Sequence, residues 1–198
     1  MKKTAVTDHP IHELLAERWS PLAFSDRPIE SDKLGSLLEA ARWAPSSFNE
    51  QPWAFLTATQ QDADGFERLA SCLMDGNSWA RKAPVLMLSV AQLTFARNGR
   101  ENRHAFHDVG LAVGSLMVQA QSLGLSLHQM GGFDVERARE TLGIPEGFDP
   151  VAMIAIGYRA EPETLPEAQQ ERERAPRTRK DAASIMFGAT WGEPLFPA

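Results

Sequence analysis

The turn from Pro45 to Trp53, which reads Pro-Ser-Ser-Phe-Asn-Glu-Gln-Pro-Trp, constrains the fold of this chain more than any other stretch. Apolar residues recur at helical spacing upstream, and Pro45 ends that helix because it cannot continue the hydrogen-bond ladder. The residues that follow the turn are rich in Phe and Thr, which predicts a half-buried strand. The turn therefore presents Ser46, Ser47 and Asn49 on a rigid frame. Such a frame suits a polar heteroaromatic ligand, although Ser, Asn and Pro also favour ordinary turns.

Apolar periodicity elsewhere predicts further helices and short strands within one domain. The predicted helices run from Asp8 to about Arg18, Ser31 to Pro45, Phe66 to Leu73, Arg103 to Leu123 and Asp134 to Gly143. The predicted strands are Trp53 to Thr59, Val85 to Val90, Leu125 to Gln129, Val151 to Tyr158 and, at the end, Ser184 to Phe187. This order, with few hairpin signals, indicates an α+β or α/β fold. The segment from Arg159 to Lys180 is charged and contains three prolines, which predicts an extended connector.

The longest helical pattern, from about Arg103 to Leu123, contains two glycines four residues apart. A glycine inside a helix costs about 1 kcal/mol of helix propensity, so Gly110 and Gly114 call for compensation. Close approach of another backbone is the usual compensation, and that backbone belongs either to a symmetry mate or to the same chain. The expected apolar face of this helix comprises Phe106, Gly110, Val113, Met117 and Ala120.

Composition and charge exclude several classes of function. The 198 residues carry a net charge of -6, which argues against sequence-independent nucleic-acid binding. Cys72 is the only cysteine, so neither an intrachain disulfide nor a multi-cysteine metal site can form. His104 and His107 have helical spacing but lack a third ligand, and we predict no metal. No apolar run has the length of a membrane span or the pattern of a signal peptide, which predicts a cytoplasmic protein without membrane contact.

Two groups of cationic residues, far apart in the sequence, are candidates for binding a phosphate. Arg18 and Ser20 flank Trp19 at the end of the first predicted helix, and Arg177 and Arg179 lie near the end of the chain. Guanidinium and hydroxyl groups are both good partners for phosphate oxygens. Taken alone each group is weak, because such an arginine can simply offset a helix dipole and a charge run is usually a solvated face. The combination favours a phosphate site.

Gly131 and Gly132 lie between a predicted strand and a predicted helix. Backbone amides at such a position could contact a flat ring without interference from a Cβ, but a plain turn would also favour glycine. The chain contains neither GxGxxG nor GxxxxGK[ST], so neither a Rossmann nor a P-loop nucleotide site is expected.

These segments, in this order, resemble the nitroreductase family of FMN-dependent NAD(P)H oxidoreductases over nearly the whole chain. The matching stretches are Arg18-Trp19-Ser20, Pro45-Ser46-Ser47-Phe48-Asn49, Gly76-Asn77-Ser78-Trp79, Gln129-Met130-Gly131-Gly132-Phe133-Asp134 and Arg177-Thr178-Arg179. The resemblance implies that the first and last stretches bind the phosphate and ribityl chain of FMN. It implies that the turn at Pro45, the side chain of Asn77 and the backbone from Met130 to Gly132 contact the flavin ring. The Gly131 amide would lie near the ring nitrogen.

The resemblance also implies the architecture and the activity. The expected fold is α+β: a mostly antiparallel central sheet flanked by helices, in an intertwined homodimer with FMN at the interface. Residues 1–198 would form a single FMN-binding domain, with 159–198 as an extended C-terminal arm over the partner. The expected enzyme uses NADH or NADPH to reduce small electron-poor acceptors, such as nitroaromatics or quinones, by a ping-pong hydride mechanism. The flavin would carry the chemistry, so no side chain is expected to be catalytic.

One position departs from the family pattern, and several alternatives follow. The family often has a basic residue four positions after the first arginine of its opening motif, and Leu22 stands there. A cation there would lie near the flavin ring, so its absence bears on reduction potential and reductant preference. The alternatives are a specialised flavin enzyme of the same fold, namely an enone reductase, a dehalogenase or a dehydrogenating oxidase. A non-catalytic flavin-binding protein and a flavin-free structural dimer are the alternatives outside enzymes.

Overall fold

A four-stranded antiparallel sheet forms the centre of the fold, which the computed structural model describes for residues 2–195. The strands are β1 (Trp53–Thr59), β2 (Val85–Gln92), β3 (Ser126–Met130) and β4 (Phe148–Gly157), in the spatial order β1-β2-β4-β3. All three strand pairings are antiparallel. The predicted α+β class with an antiparallel central sheet is therefore confirmed. Met1 and residues 196–198, which belong to the predicted domain and its arm, lie outside the described residues.

Six α-helices flank this sheet within residues 2–195. They are α1 (Glu13–Glu17), α2 (Ser31–Arg42), α3 (Ala63–Ala70), α4 (Ala105–Ser122), α5 (Val135–Leu142) and α6 (Glu167–Arg174). Helix α5 begins and ends as its sequence predicts: the Asp134 side chain accepts a hydrogen bond from the Arg137 amide, and Gly143 ends the helix at a φ of 67°. No helix in the described part of the chain combines the length and apolarity needed to span a membrane.

The sheet has a hydrophobic core on each face, which explains why β2 is apolar at most of its positions. Along β2 successive side chains point to opposite faces. Leu86 and Leu88 belong to the core that contains residues of α3 and α5, and Val85 and Met87 belong to the core that contains residues of α2 and α4. Because both faces are covered, every β2 residue from Val85 to Ala91 is buried, including the polar Ser89, whose hydroxyl donates to the Ala152 carbonyl at 3.2 Å.

Helix α4 packs on the sheet with a different face from the one predicted. Its buried residues are Ala105, Asp108, Val109, Ala112, Val113, Leu116 and Ala120. Phe106 and Gly110 are exposed, so the predicted apolar face is wrong for these two residues. A Cβ built on Gly110 or Gly114 would meet no atom within 4 Å, which excludes a close intrachain helix as the reason for the glycines. The glycine side of α4 lies open in the single chain.

The C-terminal segment is more structured than its sequence suggested. The connector predicted from Arg159 to Lys180 contains α6, and the buried residues Leu165 and Glu173 anchor it. Prolines misled the prediction: Pro166 precedes α6 as its N-cap, and the Glu, Ala, Gln and Arg residues that follow are good helix formers. The strand predicted for Ser184 to Phe187 is also wrong, since Ala182–Ser184 is a 3-10 helix.

Candidate functional site

The three arginines predicted to bind phosphate, Arg18, Arg177 and Arg179, lie close together in the fold. Arg18 follows α1, and its Nη1 lies 3.5 Å from the Ser20 hydroxyl, to which it donates. Burial lowers the pKa of Arg18, and the positive charges of Arg177 and Arg179 lower it further. Burial also lowers the pKa of Arg177, with Arg179 adding to the effect. None of the three forms an ion pair with a carboxylate among residues 2–195. This is a donor set suited to an anion.

Arg177 also holds the beginning of the chain in place. Its Nη1 donates hydrogen bonds to the carbonyl oxygens of Lys3, at 2.8 Å, and Ala16, at 2.7 Å. Arg179 is exposed, and its Nη1 contacts only the neighbouring Thr178 carbonyl, at 2.7 Å. Arg179 is therefore freer than Arg177 to bind an anion. Arg177 carries a positive charge at the same place but also holds the backbone at Lys3 and Ala16.

Trp19 is buried, and its indole ring lies near two further cations, Lys3 and Arg159. The Lys3 Nζ is 4.4 Å from the centroid of the indole ring, and the Arg159 guanidinium is 5.9 Å from it. The buried indole Nε1 has no hydrogen-bond partner among the described residues. The indole ring of Trp19 thus makes cation–π contacts with Lys3 and Arg159.

Leu22 points into the core, and its backbone explains how the opening motif is held. The side chain is 2% exposed, so this position supplies no polar group to the surface. Its amide donates to Oε2 of Glu173 at 2.8 Å, and the Ala23 amide lies 3.5 Å from Oε1 of the same carboxylate. Glu173 was missed in the sequence because it alternates with arginines in a run that is otherwise exposed. No local signal distinguishes it from its neighbours.

Strand β3 connects the cationic cluster to the glycine turn. His128 donates from Nδ1 to the Pro21 carbonyl at 2.7 Å, which ties β3 to the segment after Ser20. Burial, together with the charges of Arg172 and Arg18, lowers the pKa of His128 against the opposing effect of the Pro21 carbonyl. Gly131 lies three residues further along, which is about 10 Å at ~3.3 Å per residue. Strand β3 therefore runs from the segment after Ser20 to the glycine turn.

The glycine turn itself is fixed by Asn77. Its Nδ2 donates to the Gly132 carbonyl at 2.8 Å, and a Cβ on Gly132 would lie 2.6 Å from that nitrogen. Gly132 is therefore required for this close approach. A Cβ on Gly131 would meet nothing within 4 Å, so the exposed Gly131 backbone faces open space. Met130 is buried beneath the turn.

The Pro45–Trp53 turn is strained and held by several hydrogen bonds. Phe48, Asn49 and Gln51 have φ values of 54°, 56° and 54°, a left-handed conformation that costs non-glycine residues about 1–2 kcal/mol each. The Gln51 amide donates to the Ser46 hydroxyl at 2.9 Å, and the Gln51 side chain donates to the Asn49 carbonyl at 3.1 Å. Such strain is typical of segments whose geometry serves a ligand.

A buried carboxylate on α4 anchors this turn. Asp108 Oδ2 accepts a hydrogen bond from the Ser47 amide at 2.9 Å, and Oδ1 lies 3.0 Å from Nδ1 of His107. The sequence offered one signal for this role: Asp108 lies in phase with Ala105 and Ala112 on the buried side of α4.

The Pro45–Trp53 turn and the glycine turn at Gly131 and Gly132 lie at opposite edges of the sheet. The turn leads into β1 and the glycines follow β3, and these are the two outer strands. Three strand spacings of ~4.8 Å separate β1 from β3, or about 14 Å. A single chain therefore does not bring Ser46, Ser47 and Asn49 to Gly131.

Comparison with known proteins identifies the family. Residues 15–78 and 73–158 match the model of the nitroreductase family. The chain belongs to the nitroreductase family. The resemblance inferred from the sequence segments is thereby confirmed, and so is the fold expected for a nitroreductase.

Solved structures and sequence relatives agree with this family. An oxidoreductase containing FMN superposes with a TM-score of 0.89, at 34% identity, over 95% of this nitroreductase and 96% of that chain. A nitroreductase family protein from Clostridium difficile 630 superposes with a TM-score of 0.71, at 25% identity, over 90% and 97% of the two chains. An uncharacterized 15.4 kDa protein in the ask 5′ region of Mycolicibacterium smegmatis is 39% identical over 66% of this chain and 86% of its own length. FMN reductase [NAD(P)H] of Bacillus subtilis (strain 168) is 27% identical over 74% of this chain but only 65% of that protein.

Proposed function

We propose that this nitroreductase is an FMN-dependent oxidoreductase that uses NADH or NADPH to reduce electron-poor acceptors such as nitroaromatics or quinones. The observation that carries the proposal is the convergence of Arg18, Arg177 and Arg179 without a carboxylate partner in the described chain. The relatives described as containing FMN or reducing FMN with NAD(P)H support the same cofactor and reductant. The reductant and the acceptor would use one place in turn, which is a ping-pong order.

The cationic cluster fits the phosphate of FMN. A phosphate carries up to two negative charges, and three guanidinium groups with the Ser20 hydroxyl can supply charge-assisted hydrogen bonds to its oxygens. The positive charges that lower the pKa of Arg18 would become favourable once an anion lies among them. Strand β3 runs from the segment after Ser20 to Gly131 over about 10 Å, a span that an extended ribityl chain can follow.

The open glycine turn fits one face of a flat ring. Gly131 would direct its backbone amide at the ring nitrogen, since nothing lies within 4 Å of the position its Cβ would take. Asn77 fixes that backbone through the Gly132 carbonyl. The residues proposed to bind FMN are Arg18, Trp19, Ser20, Pro45, Ser46, Ser47, Asn49, Asn77, Met130, Gly131, Gly132, Arg177 and Arg179.

A homodimer would complete the site. Ser46, Ser47 and Asn49 lie at the far edge of their own sheet from Gly131, so they can reach a ring there only from a second copy of the chain. The open side of α4 around Gly110 and Gly114 offers a surface where two copies can approach closely. We therefore propose an intertwined homodimer in which residues 1–198 form one FMN-binding domain, with 159–198 as its C-terminal arm.

The side chains would bind, orient and shield, and none is needed as a catalytic acid or base. When bound, FMN supplies hydride transfer between the reductant and the acceptor. Arg18 and Arg179 hold the phosphate, and the strained turn presents fixed hydrogen-bond donors and acceptors to the ring edge. Leu22 leaves the position four residues after Arg18 without a cation near the ring, so the Gly131 amide becomes the proposed polar contact to the ring nitrogen. A reducing cytoplasm suits the buried free thiol of Cys72.

The visible absorption spectrum of the purified protein tests this function. We expect a flavin spectrum that bleaches when one equivalent of NADH or NADPH is added anaerobically, and that returns when a quinone or nitroaromatic acceptor follows. Bound flavin that neither reductant bleaches would indicate a binding protein without turnover. Absence of a flavin band after reconstitution with FMN would refute the proposal. Selective recovery with an enone or a halogenated acceptor would indicate a specialised enzyme of the same fold.

A further inference from the structure

A short hairpin between β2 and α4 packs against the strained turn. Its two sides are joined by the Thr94–Glu101 bridge and by the hydrogen bond from the Phe95 amide to the Arg100 carbonyl, at 2.8 Å. At its base the Ala96 amide donates to Oε1 of Glu50 at 2.5 Å. The hairpin is thus attached to the turn through Ala96 and Glu50.

Arg97 lies at the tip of this hairpin and is held by two aromatic rings. Its guanidinium is 4.1 Å from the centroid of the Phe48 ring and 5.1 Å from that of Phe95. The two rings meet edge to face with centroids 5.9 Å apart. Both the arginine and Phe48 are exposed, and within residues 2–195 Arg97 pairs with no carboxylate. Cation–π contacts of this kind orient a guanidinium while its N–H groups stay free to bind.

The hairpin that carries Arg97 is richer in cations than the chain as a whole. Residues 94–107 contain Arg97, Arg100 and Arg103 against the single acid Glu101, whereas the complete chain carries a net charge of -6. Glu50 and Asp108 lie beside this segment and offset its charge, but each carboxylate already accepts a backbone amide, from Ala96 and from Ser47. An arginine whose N–H groups stay free in such a segment attracts an anionic ligand to one place.

We propose that Arg97 binds a phosphate group of the nicotinamide dinucleotide reductant. The inference rests on the proposed function, which brings the turn beside the flavin ring and with it Phe48 and Arg97. A reductant whose nicotinamide lies over the ring must extend outward past this edge. Every such dinucleotide carries a diphosphate, and NADPH adds a 2′-phosphate, so the shared chemistry is a phosphate that accepts bidentate hydrogen bonds from arginine. Arg97 is then a specificity-determining residue for the reductant.

The test compares reductants that share the reduced nicotinamide riboside and differ in the phosphates and the adenosine attached to it. The flavin-loaded Arg97→Gln variant is mixed anaerobically with NADPH, NADH, reduced nicotinamide mononucleotide and reduced nicotinamide riboside, and the second-order rate of bleaching is recorded. Loss of one charge-assisted contact should slow the affected reductants about tenfold. The phosphate-free riboside should react as fast as with the wild type. Slowing confined to NADPH assigns the 2′-phosphate, and slowing of both dinucleotides assigns the diphosphate. With the affected phosphate-bearing reductants, the ratio of the wild-type bleaching rate to that of Arg97→Gln should fall as salt is added.

Arg27 offers a matched control. Its guanidinium lies 4.0 Å over the Tyr158 ring and pairs with Glu30, so Arg27→Gln removes the same charge from a similar stacked site. Tyr158 follows β4 near the end of the sheet away from the turn, and this variant should change no bleaching rate. Arg97→Lys should restore part of the rate, since it keeps the charge without the bidentate geometry.

Two results would overturn the assignment of Arg97 alone. Equal slowing with the riboside and the dinucleotides would show that the residue merely orders the turn. Unchanged rates with all phosphate-bearing reductants, or slowing only in the later step with an anionic acceptor, would show that no reductant phosphate binds there. A wild-type protein that carries flavin but is bleached by none of the four reductants would overturn the proposed function as well.

Discussion

Arg18 lies half-buried among positive charges, and this is an unfavourable arrangement for a residue without a bound anion. Burial is the largest cause of its lowered pKa, followed by Arg177 and Arg179. Like charges brought together in a poorly solvated place repel each other. An anion at their centre reverses the sign of these interactions. The arrangement therefore favours ligand binding over stability of the ligand-free protein.

Removal of two of these charges should release the cofactor without unfolding the protein. The double variant Arg18→Ala with Arg179→Ala loses two charge-assisted contacts worth ~1.5–3 kcal/mol each, which weakens FMN binding by about 100-fold or more. We expect a folded, colourless protein by far-UV circular dichroism and visible absorption. The matched control is Arg68→Ala with Arg81→Ala, two exposed arginines that contact Thr141 and Glu67 and should leave flavin content unchanged. Full flavin occupancy in the first variant would contradict the phosphate assignment.

Single residues differed in how far the sequence could predict them. Arg18, Asn49 and Gly132 were candidates from the sequence because they stand in short motifs whose spacing is local. Glu173 and Asp108 were not, because each acts through tertiary hydrogen bonds from backbone amides far away in sequence. A carboxylate in a charged run has the same local pattern whether it is exposed or buried. Only the fold decides which one meets an amide.

Helix α4 serves two surfaces at once. Its inner side packs on the sheet and, through Asp108, fixes the strained turn. Its outer side carries Gly110 and Gly114, which line a surface pocket together with Leu15 of α1, and a Cβ built on either glycine would meet no atom within 4 Å. Each glycine lowers helix stability without a neighbour in the single chain that requires it, and the proposed dimer would supply such a neighbour.

A side chain introduced on this outer side should distinguish a monomer from a dimer. In an isolated chain Gly114→Gln should raise helix stability by roughly 0.5–1 kcal/mol, since nothing lies within 4 Å of the new Cβ. In a dimer packed at this point the same change should separate the subunits and release FMN. We expect the second result in analytical ultracentrifugation. Gly35→Gln is the control, because Gly35 is an exposed glycine of α2 with equally open surroundings. An intact dimer in Gly114→Gln would place the interface elsewhere.

Elements with a strong apolar pattern were predicted well, and the elements of the C-terminal segment were not. Strands β1, β2 and β4 are apolar stretches of the right length, and the structure places them within a few residues of the prediction. Helix α6 was missed because its composition is polar on every side, and its one buried residue, Glu173, is itself charged. A helix that docks through one buried hydrogen-bonded carboxylate lacks the apolar stripe by which helices are predicted.

On the scale of the whole molecule, the two ends of the chain are fastened together beside the cationic cluster. The Lys3 Nζ donates to the Glu173 carbonyl at 2.7 Å, and Arg177 donates to the Lys3 carbonyl in return. The bridge between Phe24 and Arg159 joins the same two regions. The sequence could not predict these contacts between the two ends, since the residues that form them lie more than 130 positions apart. Arg18 and Arg179 meet because both ends are held in this way.

Glu173 should therefore control FMN binding without touching the cofactor. Glu173→Ala leaves the buried amides of Leu22 and Ala23 without their acceptor, which should lower the free energy of unfolding by roughly 2–4 kcal/mol. The same change frees the opening motif from the arm, so FMN affinity measured by fluorescence titration should fall at temperatures where the variant is still fully folded. Glu171→Ala, at an exposed position of the same helix, should change neither quantity. A variant that is less stable but binds FMN as tightly as the wild type would show that the arm stabilises the fold without organising the phosphate site.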